Sequence, residues 1–194
     1  PKPPAVPQKC NEARGKLNNG KEGICMLKTE RMDRVRAALR AQGLTQMIVC
    51  DPKSVWYLTG VAVEPYERLL ALYLPTEGEP VLFLNRLFNV PEPPCRTVWH
   101  TDTDKPVAQI AEVVDAGRPL GIDKEWPAKF LIPLMETHPG MQVVLSSDCV
   151  DDCRACKDAE EQALMREASR INDAVNEAAK HYIKAGMTER EVAE

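Results

Sequence analysis

Cys149, Cys153 and Cys156 stand in a Cys-x3-Cys-x2-Cys pattern, a spacing with which three thiolates can hold an iron–sulfur cluster. Enzymes that use it carry the motif on a loop after a barrel strand, with an aromatic residue before the third cysteine. Here that residue is Ala155, and the sequence beyond reads as helix. The three are therefore read as free thiols where a turn runs into a helix, with a cluster, an adventitious metal or a disulfide as weaker readings. His100 and Asp102 lie two residues apart, but two ligands do not make a metal site. His100, at a strand end, and His138, beside Pro139, read as surface or loop residues. Asp123, also at a strand end, reads as a cap for Glu125 to Pro127. No His-Glu-x-x-His, no glycine-rich phosphate loop after a strand and no Gly-x-Ser-x-Gly elbow is present. Neither a catalytic set nor a metal-binding set is legible, so the chain alone is expected to hold no cofactor and to be inactive.

Composition narrows the classes further. Hydrophobic residues make up 44% of the chain, ample for a core, while a net charge of −4 with interspersed signs argues against a nucleic-acid surface. Aromatics at 5% are too few for a base-stacking platform. No apolar run reaches the ~18 residues that a membrane span needs. Seven cysteines, an odd number without a regular framework and with no signal peptide, point to reduced thiols in a cytoplasmic protein. Cys50, inside an apolar run, reads as ordinary core.

The elements that would position any chemistry follow from periodicity. Residues 1–25, rich in Pro, Lys, Asn and Gly, read as a disordered or loosely attached arm, with Met26 a possible natural start. Met32, Val35 and Leu39 give a helix capped by Thr29 and stopped at Gly43. Met47 to Cys50 is a buried strand, and Asp51-Pro52 opens a short helix through Trp56. Leu69–Leu74 and Val81–Leu84 flank a Thr-Glu-Gly-Glu turn as a hairpin. A strand at Thr97–Trp99, a helix over Pro106–Ala116, a strand at Leu120–Asp123, a helix near Ala128–Thr137 and a last strand at Gln142–Leu145 complete the pattern. Strands alternating with helices, with one hairpin, make an α/β domain with a mixed sheet and covering helices.

The stretch from Arg154 to Ala168 opens a long helix, expected over 158–185. Leu164, Ala168, Ile171, Val175, Ala178 and Tyr182 draw one apolar stripe along it, and Gly186 stops it. Thr188 with Glu191 is the capping box of a further helix. A stripe with so little sequence to cover it leads us to expect a piece of a larger protein. The expected division is an arm over 1–25, a first domain over 26–153, and a linker with the first helices of a second domain over 154–194.

Two separated segments together resemble one family. Lys157, Glu161, Met165, Arg166, Ala168, Ile171 and Asp173, then Gly186-Met187-Thr188-Glu189 and Glu191-Val192-Ala193, resemble the opening helices of the pita-bread metallopeptidases. These are the Xaa-Pro dipeptidases (prolidases) and aminopeptidase P, with creatinase as a non-peptidase relative. Tyr57-Leu58-Thr59-Gly60 resembles the signature of that family's N-terminal domain. The resemblance implies a ribonuclease H-like creatinase/prolidase N-terminal domain, followed by the first long helix of a pita-bread α+β domain. It further implies a parent that hydrolyses small proline-containing peptides with two divalent metals, manganese, cobalt or zinc, whose ligands match no residue of this chain. A homodimer is expected, in which Tyr66 and Arg68 face the partner's active-site mouth. A guanidinium suits a substrate carboxylate, because its fork matches two oxygens. The plainer role for Arg68 is a solvated strand edge paired with Glu64 or Glu67, and for Trp99 core packing. A creatinase-like amidinohydrolase and a non-catalytic paralogue acting as a binding module are the alternatives.

Overall fold

The computed structural model describes residues 27–193, and the expected arm and Met26 lie outside the described residues. The chain divides into two compact units, one ending at Cys153 and one beginning at Arg154. The first is built on six strands: β1 (Gln46–Val49), β2 (Ala71–Pro75), β3 (Val81–Asn85), β4 (Arg96–His100), β5 (Leu120–Ile122) and β6 (Val143–Leu145). Their order across the sheet is β4-β3-β2-β1-β5-β6. β2 is antiparallel to both β1 and β3, so β1 and β3 run the same way. β4 is parallel to β3, β5 to β1 and β6 to β5. Only β2 therefore runs against the rest. The expected hairpin is this β2–β3 pair, with Leu72 opposite Leu82.

β1 and β3 are buried at every residue, and apolar but for Gln46 and Asn85, because both faces of the sheet are covered. Met47, Val49, Leu72, Leu74, Leu82 and Leu84 point to one face. There they meet Met32, Val35 and Leu39 of α1 (Thr29–Ala41), Val55 and Leu58 of α2 (Pro52–Thr59), and Cys149 and Val150 of α5 (Asp148–Ala155). Ile48, Ala71, Val81, Phe83, Leu120 and Ile122 point to the other, against Ile110 of α3 (Pro106–Ala111) and Leu134 of α4 (Ala128–Thr137). The result is a three-layer α/β/α unit.

Several element ends differ from the sequence reading. Thr29 lies inside α1, whose cap position is Lys28 without a capping side chain. The Lys28 N–H instead donates to the Leu58 carbonyl at 3.0 Å, so packing against α2 fixes this end. α2 runs past Trp56 to Thr59 and stops at Gly60, whose φ of 74° is cheap only for glycine. Asp51 caps its start as expected, accepting from the Lys53 and Ser54 N–H groups. Arg154 does not open the long helix; it sits in the last turn of α5. The long helix, α6 (Ala159–Tyr182), starts anew from Asp158, which forms a capping box with Glu161. Asp-x-x-Glu is a sequence signal for such a start.

Within the second unit, α7 (Glu189–Ala193) follows α6. Thr188 and Glu191 bond reciprocally before it, as the sequence indicates. No residue of α6 is buried, and Leu164, Val175 and Tyr182 leave its apolar stripe open.

Asp123 braces the first unit. It is buried, and its carboxylate accepts from the Cys50 N–H, the Asp51 N–H at 2.8 Å, the Glu125 N–H at 2.9 Å and the Cys50 thiol at 2.9 Å. The expected cap near Glu125 is real, but the larger task is tying the end of β1 to the end of β5. Cys50 is thus more than core filler: burial, then the neighbouring Asp123 charge, pushes its thiol far up and keeps it a donor. Asp123→Ala should leave these N–H groups without their charged acceptor and lower unfolding stability by about 3 kcal/mol in urea titration. On β5, a Cβ on Gly121 would stand 2.5 Å from the Ser146 Oγ and 3.2 Å from the Gln46 carbonyl. Gly121→Ala should therefore cost about 1–3 kcal/mol, and adding Ser146→Ala should recover part of it. Equal denaturation midpoints for the single and double variants would show that the hydroxyl is not the obstacle.

Candidate functional site

The carboxyl ends of β3 and β4 and the chain entering β2 meet at one edge of the sheet. Asn85 closes β3, His100 closes β4, and Pro65–Leu69 leads into β2. An open cleft of about 390 Å³ lies here, with Arg68, Asn85, His100, Asp102 and Phe130 in its wall.

Arg68 stands before β2 rather than on a strand, and its chief partner is Asp102. Nε donates to Asp102 Oδ1 at 2.9 Å and Nη2 to Oδ2 at 2.9 Å, a fork-to-fork pair, while Nη1 lies 3.0 Å from Glu67 Oε1. Of the two partners expected for a solvated Arg68, Glu67 is present and the dominant one was not foreseen. The Arg68 hydrogen bond, joined by one from Asn85, holds the Asp102 carboxyl below the usual carboxylate range. In return the Asp102 hydrogen bond raises the guanidinium.

Behind this pair lies a buried relay. Asn85 Nδ2 donates to Asp102 Oδ1 at 2.8 Å and lies 3.4 Å from His100 Nδ1. Asn85 Oδ1 accepts the Leu87 N–H at 2.9 Å, which fixes the way the amide points. His100 Nε2 is 3.1 Å from the Leu69 carbonyl, an acceptor only, so this nitrogen carries the ring proton and Nδ1 is left to accept from Asn85. His100 was expected on the surface and is instead 2% exposed. Its ring is enclosed by Asn85 across the ladder and by the Leu69 carbonyl of the loop entering β2. The His-x-Asp spacing was the only sequence signal of this cluster, and Asn85 gave none.

The corner that carries Arg68 is tied at nearly every residue. The Arg68 N–H donates to the Pro65 carbonyl at 2.9 Å, Lys129 Nζ donates to the Glu67 carbonyl, and the Leu69 carbonyl accepts from His100. Tyr66 alone points away: it is 81% exposed and has a φ of +50°, which a non-glycine residue adopts at a cost. The corner therefore displays an aromatic ring on a fixed backbone. Glu67, Asp102 and Asp104 outnumber Arg68 in the cleft wall. Asp102 takes the Nε–H and one Nη2–H of the guanidinium, and Glu67 pairs with Nη1 by charge at 3.0 Å.

The remaining candidates do other work. His138 ends α4 and contacts the Ala111 carbonyl at 3.0 Å. Trp99 packs, partly buried, against the α1/α2 side of the core. Burial pushes the Cys149 and Cys95 thiols up to about 11, so neither is an available thiolate. Cys153 is half-buried on α5 and Cys156 exposed beyond it. Among the described residues, no three His, Cys, Asp or Glu side chains converge as a metal site requires.

The Tyr57-Leu-Thr-Gly60 segment has a structural explanation. Tyr57 is buried, its hydroxyl donates to the Cys153 carbonyl at 3.1 Å and accepts from Arg34 at 3.0 Å, and Arg31 lies over its ring at 4.5 Å. Thr59 Oγ1 donates back to the Val55 carbonyl at 2.6 Å and accepts from the Val61 N–H, closing the helix before Gly60. These residues clasp α1, α2 and the end of α5 together.

Comparison with known proteins agrees with this architecture. The family described as Creatinase/Prolidase N-terminal domain matches residues 31–156. The probable dipeptidase PepE of Mycobacterium tuberculosis is 29% identical over 166 residues, which is 81% of this chain and 44% of that protein. An uncharacterized peptidase of Staphylococcus aureus is 30% identical over 155 residues, 74% of this chain and 42% of its own length. The chain thus spans less than half the length of the curated relatives it matches. Among solved structures, prolidase from Thermococcus sibiricus superimposes with a TM-score of 0.76 at 25% identity, over 87% of this chain and 48% of that one. The N-terminal domain of an X-Pro dipeptidase from Streptococcus pyogenes matches in fold alone: TM-score 0.56 and 22% identity, over 63% of this chain and 98% of that one. No helix among the described residues is long and apolar enough to cross a membrane. With the match covering residues 31–156, the chain belongs to the creatinase/prolidase N-terminal domain family.

Proposed function

We propose that this chain serves as the non-catalytic N-terminal domain of a cytoplasmic, metal-dependent Xaa-Pro dipeptidase, which pairs as a homodimer and cuts small peptides before proline. The observation that carries the reading is the family match over 31–156, together with relatives named as dipeptidases and prolidases. The open apolar stripe of α6 supports it, because such a stripe suits a helix that packs against a further domain. The two manganese, cobalt or zinc ions of such an enzyme would generate a hydroxide and polarise the scissile carbonyl when bound. Their ligands would have to come from outside the residues described here.

In this reading the Pro65–Leu69 corner forms part of the partner subunit's active-site mouth. Tyr66 offers a ring against which a small substrate can pack, and Arg68 offers the N–H groups that Asp102 does not take to a substrate oxygen. The acidic neighbours reduce its pull on a free carboxylate. A neutral carbonyl or a carboxylate held also by other groups is therefore the better fit.

Two measurements test this. The purified 194-residue chain should release no proline from Gly-Pro with manganese or cobalt added; metal-dependent hydrolysis would overturn the non-catalytic assignment. In the longer dipeptidase, Arg68→Ala should raise KM about tenfold with kcat little changed, as expected for lost binding rather than lost chemistry. Unaltered kinetics there would remove the corner from the mouth.

A further inference from the structure

We propose that Asp102 is the positioning residue of the mouth, fixing the Arg68 guanidinium and, through the corner it anchors, the display of Tyr66, with Asn85 and His100 holding Asp102 in turn. This rests on the mouth reading above for its functional meaning, but its structural content stands on the geometry alone. An arginine side chain has several freely rotating torsions, and one that must meet a ligand gains from being held beforehand. Asp102 takes both Nε and Nη2 and leaves the remaining N–H groups pointing elsewhere. Asp102 follows β4 in an exposed turn and would itself be loose without a tether. Asn85, buried to 1% exposure, supplies that tether, and its amide cannot turn without losing the Leu87 N–H or facing Asp102 with an oxygen. His100 closes the chain of contacts on the Leu69 carbonyl, one residue from Arg68. The relay therefore starts and finishes on the same corner, and such closure fixes a side chain more firmly than a lone surface pair does.

Side-chain NMR of the 194-residue chain reads this directly. The Arg68 Nε–H should give a resolved, slowly exchanging signal, and the His100 nitrogens should report the Nε2-protonated ring. Asp102→Asn removes the charge and one acceptor; it should speed Arg68 Nε–H exchange about tenfold while backbone signals of the sheet stay in place. Asp102→Glu, which keeps the charge, should restore part of the protection. Because Arg68 holds the carboxyl below its usual range, the chemical-shift change of the Arg68 Nε–H that reports loss of the pair should come only once the pH has fallen below the ordinary carboxylate range. In the longer dipeptidase, Asp102→Asn should raise KM about threefold to tenfold at nearly constant kcat, in the direction of Arg68→Ala. An Arg68 signal that exchanges freely in the unsubstituted chain, or is indifferent to Asp102→Asn, overturns the proposal. So does Arg68→Ala raising KM while Asp102→Asn does not. If Arg68 is released by Asp102→Asn but neither variant alters KM, the relay stands as structure and the mouth reading fails.

Discussion

One reversed strand governs where everything else can be. β2 runs against its two neighbours, so its entrance lies at the edge where β3 and β4 end. Had all six strands been parallel, the segment leading into β2 would have lain at the opposite edge, far from Asn85 and His100. The reversal brings a tied corner, two strand ends and a turn residue into one cleft. It also explains why a cleft here is compatible with a full core. The carboxyl edge of such a sheet is where the layers diverge and polar groups can face solvent.

The same edge presents two carboxylates with opposite duties. Asp123, at the end of β5, is buried and spent: four donors converge on it and join β1 to β5. Asp102, past the end of β4, is half-exposed and shares its charge with a residue that also faces solvent. Buried carboxylates need full pairing, and Asp123 has it. The Asp102–Arg68 pair sits where screening weakens ion pairs, so its worth lies in direction rather than in stability.

Much of the fold was legible because its signals are local. The apolar runs of β1 and β3, the Asp51-Pro52 opening and the Thr188–Glu191 box each specify an element within a few residues. The helix over Ala128–Thr137 was located to the residue. The failures are equally specific. Thr29 looked like a cap, yet the start of α1 is set by a carbonyl thirty residues away in sequence, on α2. Arg154 resembles a helix opening because α5 and α6 follow each other closely, while the new start is set by the Asp158–Glu161 box between them.

The cleft was legible only in part, for a related reason. Tyr66 and Arg68 were singled out through a resemblance, and their spacing alone would not have found them. Asp102 was weighed solely as a metal ligand beside His100, since two polar residues near a strand end invite that reading. Their actual relation runs through Asn85, which is fifteen residues from His100 in sequence but its direct neighbour across the β3–β4 ladder. Parallel pairing of β3 with β4 sets that neighbourhood, and no short-range pattern announces it. A histidine whose ring is enclosed by a strand partner and a preceding loop carbonyl serves as a spacer of fixed polarity. It accepts on one side and donates on the other, and so ties the end of β3 to the loop that enters β2.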